Sequence, residues 1–408
     1  MSTAVTKRKQ VLDFQQLGLS PETLATLAEV GYARPTPIQA ALIPLALEEF
    51  DLLGQAQTGT GKTAAFALPI LELIDTKPNK PAALILTPTR ELALQVSKEF
   101  QKLAGKKDLP IVCLYGGKPM QAQTNQLRSG AAVVVGTPGR VIDHVKRGNL
   151  TLTEIEFAVL DEADRMLDIG FRDDIEWLLS RCPRDRQTML LSATLPPAIL
   201  ELAKRYMNAP KMVNFSSSKV SAETIDQYYL MVPEELKFDI LLELIKREQP
   251  QQAIVFCRTK LGTERLYRKL LKLDLVKGLG TIHGDLNQSA RDRMMQDFRD
   301  GKVSCLVATD VVGRGIDVTG VSHIINFDVP ELSDDYVHRV GRTGRMGKSG
   351  IAFTLVEPIQ RSELVKIERK INRPLDLDPM QEFVDRLAEE KLGIKPGAPP
   401  KSKYRRAL

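Results

Sequence analysis

The sequence predicts an α/β protein with two parallel-sheet domains in tandem, joined by a short linker. Apolar strand-like runs alternate with helix-like segments through most of the 408 residues, a pattern typical of parallel sheets covered by helices on both faces. A serine-rich polar stretch at residues 214–223 interrupts this alternation, which then restarts. The length also exceeds that of one ordinary domain, since a domain commonly holds roughly 100–200 residues.

The strands are predicted from the apolar runs. In the first half they lie at 51–54, 82–86, 111–114, 132–135, 157–160, 189–191 and 212–213. In the second half they lie at 228–231, 253–256, 280–282, 305–308, 324–327 and 351–355. Helices are predicted at 64–73, 234–247 and 288–300. Ligands bind beyond the carboxyl ends of the strands in open α/β sheets, so the residues after each strand are candidates for function.

The domain boundaries follow from the breaks in this pattern. They place the first domain at 1–213, the linker at 214–223, the second domain at 224–380 and a tail at 381–408. Residues 391–408 hold six Lys or Arg residues, three prolines and no acidic residue. Such a segment cannot bury a core, so a basic, disordered tail is expected. It is either a solvated end or an arm that contacts nucleic-acid phosphates.

Composition narrows the class of protein. Hydrophobic residues make up 43% of the chain and charged residues 26%, and no apolar run approaches the roughly 18 residues that a membrane span needs. The N-terminal residues show no secretory signal, so a soluble, cytoplasmic protein without membrane partners is expected. The four cysteines form no C-x-x-C spacing and are predicted to be reduced and structural: Cys113, Cys182, Cys257 and Cys305.

A nucleotide phosphate cradle is predicted between the first strand and the first long helix. The stretch consists of Ala56, Gln57, Thr58, Gly59, Thr60, Gly61, Lys62 and Thr63. Its glycines let backbone N–H groups converge on phosphate oxygens at a helix N-terminus. Lys62 would contact the β- and γ-phosphates of a nucleotide, and the Thr63 hydroxyl would bind Mg²⁺. Ala56 replaces the usual glycine, and a chance Lys-Thr in a glycine-rich turn is the alternative interpretation.

An acidic run follows the strand at 157–160. A carboxylate at such a strand end can reach a Mg²⁺ ion beside the cradle, so Asp161 is the predicted metal ligand. Glu162 is predicted to act as general base or to orient the attacking water. The alternative is a helix N-terminus that favours acidic residues because of its dipole.

Arginines and an aspartate in the second half are predicted to complete the site. Arg342 and Arg345 stand among glycines, which suits guanidinium groups that approach a γ-phosphate as arginine fingers. Asp317 is predicted to accept a hydrogen bond from the ribose hydroxyls. For any one of these arginines alone, a surface ion pair would be the simpler interpretation. Two of them in a G-R-x-G-R run, in a chain with a phosphate loop, favour the site.

The ordered motifs of the chain resemble the DEAD-box ATP-dependent RNA helicases, and bacterial members in particular. The resemblance extends from about Phe14 to Val356, and Ala56 is what the family carries at that position. The matching motifs lie at 31–39, 56–63 (AQTGTGKT), 88–92 (PTREL), 137–140 (TPGR), 161–164 (DEAD), 192–194 (SAT), 255–259 (VFCRT), 308–317 (ATDVVGRGID) and 338–345 (HRVGRTGR).

The resemblance implies two RecA-like domains and further roles for individual residues. Gln39, with Thr36 and Phe14, would bind the adenine base. Asp164, Ser192, Thr194 and His338 would couple the two domains. The contacts to the RNA backbone would come from Pro88, Thr89, Arg90, Gly117, Thr137, Gly139 and Arg140 in the first domain and from Arg258, Arg291, Thr309 and Arg314 in the second. Such contacts position a strand without reading its sequence.

The predicted function is RNA-stimulated ATP hydrolysis, with ATP and Mg²⁺, coupled to local unwinding of RNA or remodelling of RNA–protein complexes as two domains close. An ATP-gated RNA clamp with little unwinding is the alternative. A DNA-translocating helicase, a kinase and a transporter ATPase are disfavoured, the first by the motif around Gln39 and the others by the arginines of the second domain. Family analogy suggests ribosome assembly and ribosomal-precursor or RNA–protein partners.

Overall fold

The computed structural model describes residues 13–56, 60–74, 80–214, 225–273, 278–310, 321–344 and 349–394. The chain divides into two compact units, Met1–Ser217 and Ser218–Leu408. Each unit has its own parallel sheet and its own hydrophobic core. The predicted α/β class with two tandem parallel-sheet domains of the RecA-like type is therefore confirmed.

The first unit contains a seven-stranded parallel sheet with the order β3-β4-β2-β5-β6-β1-β7. Its strands are β1 (Leu52–Gln55), β2 (Ala83–Leu86), β3 (Ile111–Leu114), β4 (Val133–Gly136), β5 (Phe157–Asp161), β6 (Gln187–Ser192) and β7 (Lys211–Asn214). Its helices are α1 (Pro21–Glu29), α2 (Pro37–Leu47), α3 (Lys62–Leu73), α4 (Arg90–Ala104), α5 (Met120–Arg128), α6 (Pro138–Lys146), α7 (Ala163–Asp168), α8 (Arg172–Leu179) and α9 (Pro197–Tyr206).

The second unit repeats this architecture with the order β10-β11-β9-β12-β13-β8-β14. Its strands are β8 (Ile225–Met231), β9 (Ala253–Cys257), β10 (Leu279–Ile282), β11 (Cys305–Thr309), β12 (His323–Asn326), β13 (Gly350–Val356) and β14 (Asp376–Leu377). Its helices are α10 (Lys237–Glu248), α11 (Lys260–Leu273), α12 (Gln288–Arg299), α13 (Ser333–Val340), α14 (Arg361–Ile371) and α15 (Gln381–Leu392).

The central strands are almost continuously apolar because both faces of each sheet are buried there. Val133 and Val135 of β4 point into one core of the first unit, whereas Val134 points into the core on the opposite face. Parallel strands covered by helices on both sides show this continuous apolar pattern. The pattern explains why apolar runs located the strands to within a few residues. The short edge strand β14 was not predicted, since it has two residues and no apolar run.

The predicted tail at 381–408 is wrong for its first twelve residues, which form helix α15. Val384 and Ala388 lie on one face of this helix and are buried in a hydrophobic core of the second unit. The Gln381 side chain accepts from the backbone N–H of Met231 at 2.8 Å and donates to its carbonyl at 3.1 Å, at the end of β8. The apolar positions of α15 recur with a helical period, which the basic composition obscured.

The predicted linker and the basic end of the chain lie largely outside the described residues. Asn214, the predicted first residue of the linker, is instead the last residue of β7. The remainder of the linker, 215–223, and the basic end, 395–408, lie outside the described residues. In the part of the chain that the structure describes, no helix combines the length and the apolar character that crossing a membrane would require.

Candidate functional site

The carboxyl edge of the first sheet brings most of the predicted site residues together. Neighbouring strands β5, β6 and β1 end beside one another, at Asp161, Ser192 and Gln55. On the other side of β5, strands β2, β4 and β3 end in the segments that hold Arg90, Thr137 and Gly117. The acidic run after β5 therefore lies between a phosphate-loop side and a second, basic side of the same edge.

The phosphate-loop lysine begins helix α3 and is buried. Lys62 is 6% exposed, and its Nζ donates a hydrogen bond to the Ala56 carbonyl at 2.8 Å. The first residue of the predicted loop thus holds the lysine ammonium. The next residue, Thr63, is partly exposed in the first turn of the helix. The predicted residues Gln57, Thr58 and Gly59 lie outside the described residues.

Gly61 occupies a position that only glycine fits. Its φ is +88°, in the left-handed region, and a Cβ atom there would stand 2.5 Å from Nε2 of Gln39. The Gln39 Nε2 donates to the Gly61 carbonyl at 3.1 Å. The side chain that was predicted to bind adenine therefore also holds the phosphate loop, and the missing Cβ makes this approach possible.

Gln39 and Thr36 form a reciprocal cap at the start of α2. The Thr36 hydroxyl accepts from the Gln39 N–H, and the Gln39 Oε1 accepts from the Thr36 N–H at 2.9 Å. A side-chain amide offers two N–H donors and two acceptor lone pairs. Gly61 and Thr36 use one of each, which leaves one N–H donor and one lone pair of Gln39 without a partner among the described residues.

Phe14 lines a cavity of about 340 Å³ beside helix α1. Tyr32 shares this wall, with its ring 6.2 Å from the Phe14 ring at an interplanar angle of 68°. Asp13 and Leu24 also line the cavity, whereas Thr36 and Gln39 do not. The structure therefore places Phe14 in a cavity wall but does not bring it and Gln39 to the same cavity. Tyr32 was not assigned from the sequence.

Asp161 is a buried carboxylate whose geometry suits a cation. It is 3% exposed, and its Oδ1 atom is buried with no hydrogen-bond partner among the residues described. Burial raises the pKa of this carboxyl to about 6, against the opposing effect of the Lys62 ammonium, and the Glu162 charge raises it further. An orphaned carboxylate oxygen is costly unless a ligand supplies the missing partner. A hard cation such as Mg²⁺ fits this oxygen.

Glu162 has a strained backbone and one buried ion pair. It precedes α7 with φ +54° and ψ +51°, a left-handed conformation that non-glycine residues rarely adopt. Its side chain is 9% exposed, and its Oε2 lies 3.5 Å from Nη1 of Arg165, whose side chain is 3% exposed. Arg165 was not assigned a role from the sequence.

Asp164 joins the acidic run to the end of β6. Its Oδ2 accepts from both the backbone N–H and the hydroxyl of Thr194, each at 2.8 Å. Its own N–H donates to the Ser192 Oγ at 3.2 Å, and Ser192 Oγ donates to the Thr194 carbonyl at 2.6 Å. The predicted association of Asp164 with Ser192 and Thr194 is thus present within the first unit.

Two helix N-termini face the basic side of the first sheet. The Thr89 hydroxyl caps α4 by accepting from the Leu92 N–H, and Thr137 precedes α6 without a side-chain cap bond. Arg90 lies against Gly117, whose φ is +86°, and a Cβ on that glycine would stand 2.2 Å from the arginine Nη1. Arg140 Nη1 donates to the Lys118 carbonyl at 3.1 Å. Pro88 and Gly139 lie in the same two segments.

In the second unit, strands β9, β10 and β11 occupy the positions of β2, β3 and β4, and a second set of predicted RNA contacts lies at their ends. Arg258 follows β9, Thr309 ends β11 beside it, and Arg291 lies in the first turn of α12 after β10. The Arg258 side chain is exposed, and the backbone N–H of this residue donates to Asp328 Oδ2 at 2.8 Å. The Thr309 hydroxyl is buried without a hydrogen-bond partner among the residues described.

His338 and Arg342 lie near the end of α13. Arg342 is 4% exposed, and its Nε donates to the His338 carbonyl at 3.1 Å. The predicted residues Arg314, Asp317 and Arg345 lie outside the described residues.

Arg339, which sequence analysis did not assign, ties several of these segments together. It is 1% exposed and binds both oxygens of Asp310, at 2.6 and 2.7 Å. Its Nη1 donates to Asn326 Oδ1 at 3.0 Å and to the Asp328 carbonyl at 2.7 Å. The same Asp328 receives the Arg258 N–H. The motif HRVGRTGR gave no indication of these hydrogen bonds of Arg339, because the partners are distant from it in sequence.

Comparisons with known proteins agree with this arrangement. The family model described as DEAD/DEAH box helicase matches residues 36–202, and the model described as helicase conserved C-terminal domain matches residues 236–347. A solved structure of S. cerevisiae Dbp5 bound to RNA and ADP BeF3 is 32% identical, with a TM-score of 0.81, over 93% of this chain and 99% of that one. A DEAD box protein from Methanococcus jannaschii is 41% identical over 90% of this chain and 99% of that one, with a TM-score of 0.55.

Curated relatives are similar to this chain over nearly all of its length. The DEAD-box ATP-dependent RNA helicase CshA of Geobacillus kaustophilus is 46% identical over 93% of this chain and 82% of its own length. The ATP-dependent RNA helicase CshA of Listeria monocytogenes is 44% identical over 93% of this chain and 74% of its own length. The fold, the strand-end residues and these similarities lead to one conclusion: the chain belongs to the DEAD-box ATP-dependent RNA helicases of the bacterial type.

Proposed function

We propose that the protein couples ATP hydrolysis to the closure of its two units around one RNA strand, and that this closure separates short duplexes or displaces bound proteins. The observation that carries the proposal is the single carboxyl edge of the first sheet. The nucleotide-type residues end β1, β5 and β6, and the basic segments follow β2, β3 and β4. The acidic run after β5 stands between the two sets, where it can respond to both ligands.

The phosphate loop and Asp161 would hold ATP with Mg²⁺. Lys62 would exchange its bond to the Ala56 carbonyl for phosphate oxygens, and the Thr63 hydroxyl and Asp161 would bind the cation. The bound cation supplies electrostatic stabilisation of the charge that develops on the phosphates. The unpartnered Oδ1 of Asp161 supports this assignment.

Glu162 would accept the proton of the attacking water or orient that water. Its carboxylate lies one residue from the proposed metal ligand, and its backbone strain is of the kind that active sites retain. Arg342 and Arg345 of the second unit would stabilise transition-state charge as arginine fingers when the units close. Asp317 would bind the ribose.

Gln39 would recognise the adenine edge with its remaining donor and lone pair, because adenine presents a matching N6–H donor and N7 acceptor. Phe14 and Thr36 would help to seat the base. Since Gln39 also bonds to Gly61, a bound base would stabilise one conformation of the phosphate loop.

RNA would bind through its sugar-phosphate backbone, across equivalent strand ends of the two units. The first unit offers Arg90, Thr137 and Arg140, and the second offers Arg258, Arg291 and Thr309, with Arg314 beyond the described residues. Contacts of this kind fix the position of a strand without reading bases. A choice among RNAs would then come from partners, such as ribosomal precursors or other RNA–protein complexes, in the cytoplasm.

The substitution Glu162→Gln tests the coupling. The variant should bind ATP and RNA together and fail to hydrolyse, because the amide cannot accept the proton, so that it remains trapped on RNA. The measurement combines ATP turnover with dissociation of labelled single-stranded RNA, and Lys62→Ala, which should not bind ATP, is the matched control. Near-normal turnover in Glu162→Gln would refute the role of this residue.

Reciprocity of binding tests the closure. If ATP and RNA both favour the closed state, each must strengthen binding of the other by the same factor. The affinity of an ATP analogue with and without RNA, and of RNA with and without the analogue, gives the two factors. Independent affinities would contradict closure. Strong coupling without release of a duplex strand would identify the clamp instead.

A further inference from the structure

Arg165 is a buried cation beside the proposed catalytic carboxylate, and no part of the proposed reaction yet uses it. It is the third residue of α7, and its side chain is 3% exposed. The guanidinium Nη1 lies 3.5 Å from Oε2 of Glu162, one helical turn earlier. Within the described part of the chain, this is the one ion pair recorded for the Glu162 carboxylate.

Stability alone does not account for a buried pair of this kind. Taking both charges out of water costs about as much as their attraction returns, so a buried ion pair contributes little net stability. The pair also follows the strained, left-handed backbone of Glu162. Strain and a buried charge at one site indicate a geometric requirement on the side chain that they hold.

The surroundings show what the pair fixes. The Arg165 N–H donates to Asp164 Oδ1 at 3.0 Å, and the other oxygen of Asp164 binds Thr194. Asp164 therefore links the first turn of α7 to the end of β6, and Arg165 is bonded to Asp164 in the same turn. A glutamate side chain has several rotatable bonds, whereas a planar guanidinium presents its donors in a fixed fork. The arginine can thus restrict the carboxylate to one orientation.

We propose that Arg165 is a positioning residue that orients the Glu162 carboxylate toward the reacting water. The inference rests on the proposed role of Glu162 and adds a residue to it. Arg165 does not touch ATP or RNA in this scheme. Its contribution is to the rate of the chemical step, because a displacement of about 1 Å in a catalytic group can cost roughly 100-fold in rate.

The test compares Arg165→Met and Arg165→Lys in the full chain. Arg165→Met should lower kcat for ATP by about 10- to 100-fold at saturating RNA, with KM for ATP and RNA affinity within about threefold of wild type. Arg165→Lys, which restores a cation without the planar fork, should give an intermediate kcat. A purely structural role would instead lower the melting temperature and leave kcat per folded molecule unchanged.

Arg186→Met is the matched control. Arg186 is also a buried arginine of the first unit, at 8% exposure, and it donates to the carbonyls of Pro183 and Tyr206. It precedes β6, at the opposite end of that strand from Ser192. Its loss should lower the melting temperature with little change in kcat. If Arg165→Met fails to fold, kcat of the folded Arg165→Lys decides: a wild-type value overturns the proposal.

Two outcomes separate this inference from the role of Glu162. If Glu162→Gln abolishes turnover and Arg165→Met keeps a normal or raised kcat, only the role of Arg165 is refuted. If Glu162→Gln itself hydrolyses ATP normally, the proposed function of Glu162 fails first.

Discussion

The two sheets have the same strand order, yet the charged residues at equivalent strand ends have different partners in the two units. In each sheet the sixth strand leads into a helix that begins with lysine: β1 into Lys62 and β8 into Lys237. In each, an aspartate stands at or just beyond the end of the fourth strand: Asp161 ends β5, and Asp328 lies two residues beyond β12. The topology therefore places a buried lysine and a nearby carboxylate in both units.

The difference lies in what surrounds each lysine. Lys62 donates to a backbone carbonyl, and the Oδ1 of Asp161 has no partner among the described residues. Lys237 instead lies 3.3 Å from Asp328 and 2.6 Å from Glu357, which follows β13. The second unit thus pairs its lysine with its own carboxylates, whereas in the first unit the corresponding groups are those proposed to bind phosphate and a cation. The same architecture therefore carries a proposed ligand site in one unit and a set of internal ion pairs in the other, and the difference depends on a few side chains.

The basic sides of the carboxyl edges of the two sheets differ much less than the lysine sites do. Strands β2, β3 and β4 in the first unit, and β9, β10 and β11 in the second, all lead into segments with predicted RNA contacts. In the proposed scheme, both units therefore contact the RNA backbone, and only the first binds the phosphates and the cation.

The paired lysines give the largest expected contrast. Lys62→Ala should reduce ATP binding to background and leave the melting temperature close to that of wild type, since its ammonium bonds to one carbonyl. Lys237→Ala should preserve ATP binding and destabilise the second unit by about 1–3 kcal/mol, because it removes the ammonium that pairs with two partly buried carboxylates. Equilibrium nucleotide binding and thermal unfolding measure the two effects. Loss of ATP binding in Lys237→Ala would break the comparison.

The second prediction concerns the arginines that only the second unit carries. Arg342→Ala should lower RNA-stimulated hydrolysis by about 10³-fold, the lower range for an arginine finger. RNA binding without nucleotide should persist, because Arg342 is not in the backbone-contact set. Single-turnover hydrolysis with saturating RNA measures the change. Residues 1–213 alone should show the same loss, and normal turnover in either protein would exclude a catalytic role for the second unit.

The smallest predicted effect is on stability. Burial raises the pKa of Asp161 from 3.8 to about 6. Because the folded pKa is the higher one, the group favours folding below about pH 4, and this contribution is lost as the pH rises through 6. Asp161→Asn stays neutral, so without Mg²⁺ it should be more stable than wild type at neutral pH, by at most about 3 kcal/mol.

Urea unfolding in a chelator at acidic and neutral pH checks this prediction. The difference between Asp161→Asn and wild type should disappear near pH 4. Asp328→Asn is the matched substitution in the second unit, and it should destabilise the protein because it weakens the ion pair with Lys237. If Asp161→Asn were the less stable protein at neutral pH, burial of the ionised Asp161 carboxylate would not lower the stability of the folded protein.

Local chemistry made part of the site predictable from sequence. A phosphate loop needs glycine, lysine and threonine within a few residues, so Gly61, Lys62 and Thr63 could be recognised together. Asp161 could be assigned because it ends an apolar run, and apolar runs mark strands that are buried on both faces. The strand positions and the fold class followed from the same signal.

Contacts between distant residues were not predictable in this way. Helix α15 was assigned to the tail because its basic neighbours dominated the composition, although Val384 and Ala388 pack into the second core. Tyr32 and Arg339 were named within motifs but received no role. Their partners, Phe14 and Asp310, are brought near by the fold and carry no mark in the sequence.

The sequence by itself determined two parallel sheets, a phosphate loop, an acidic strand end and two basic sets, because each depends on neighbouring residues or on the period of a single element. Only the tertiary structure decided which buried charges are satisfied within the protein. Lys237 and Glu357 are 120 residues apart along the chain and 2.6 Å apart in the fold. Whether a buried lysine serves a ligand or an internal carboxylate depends on such distances, which sequence spacing does not encode.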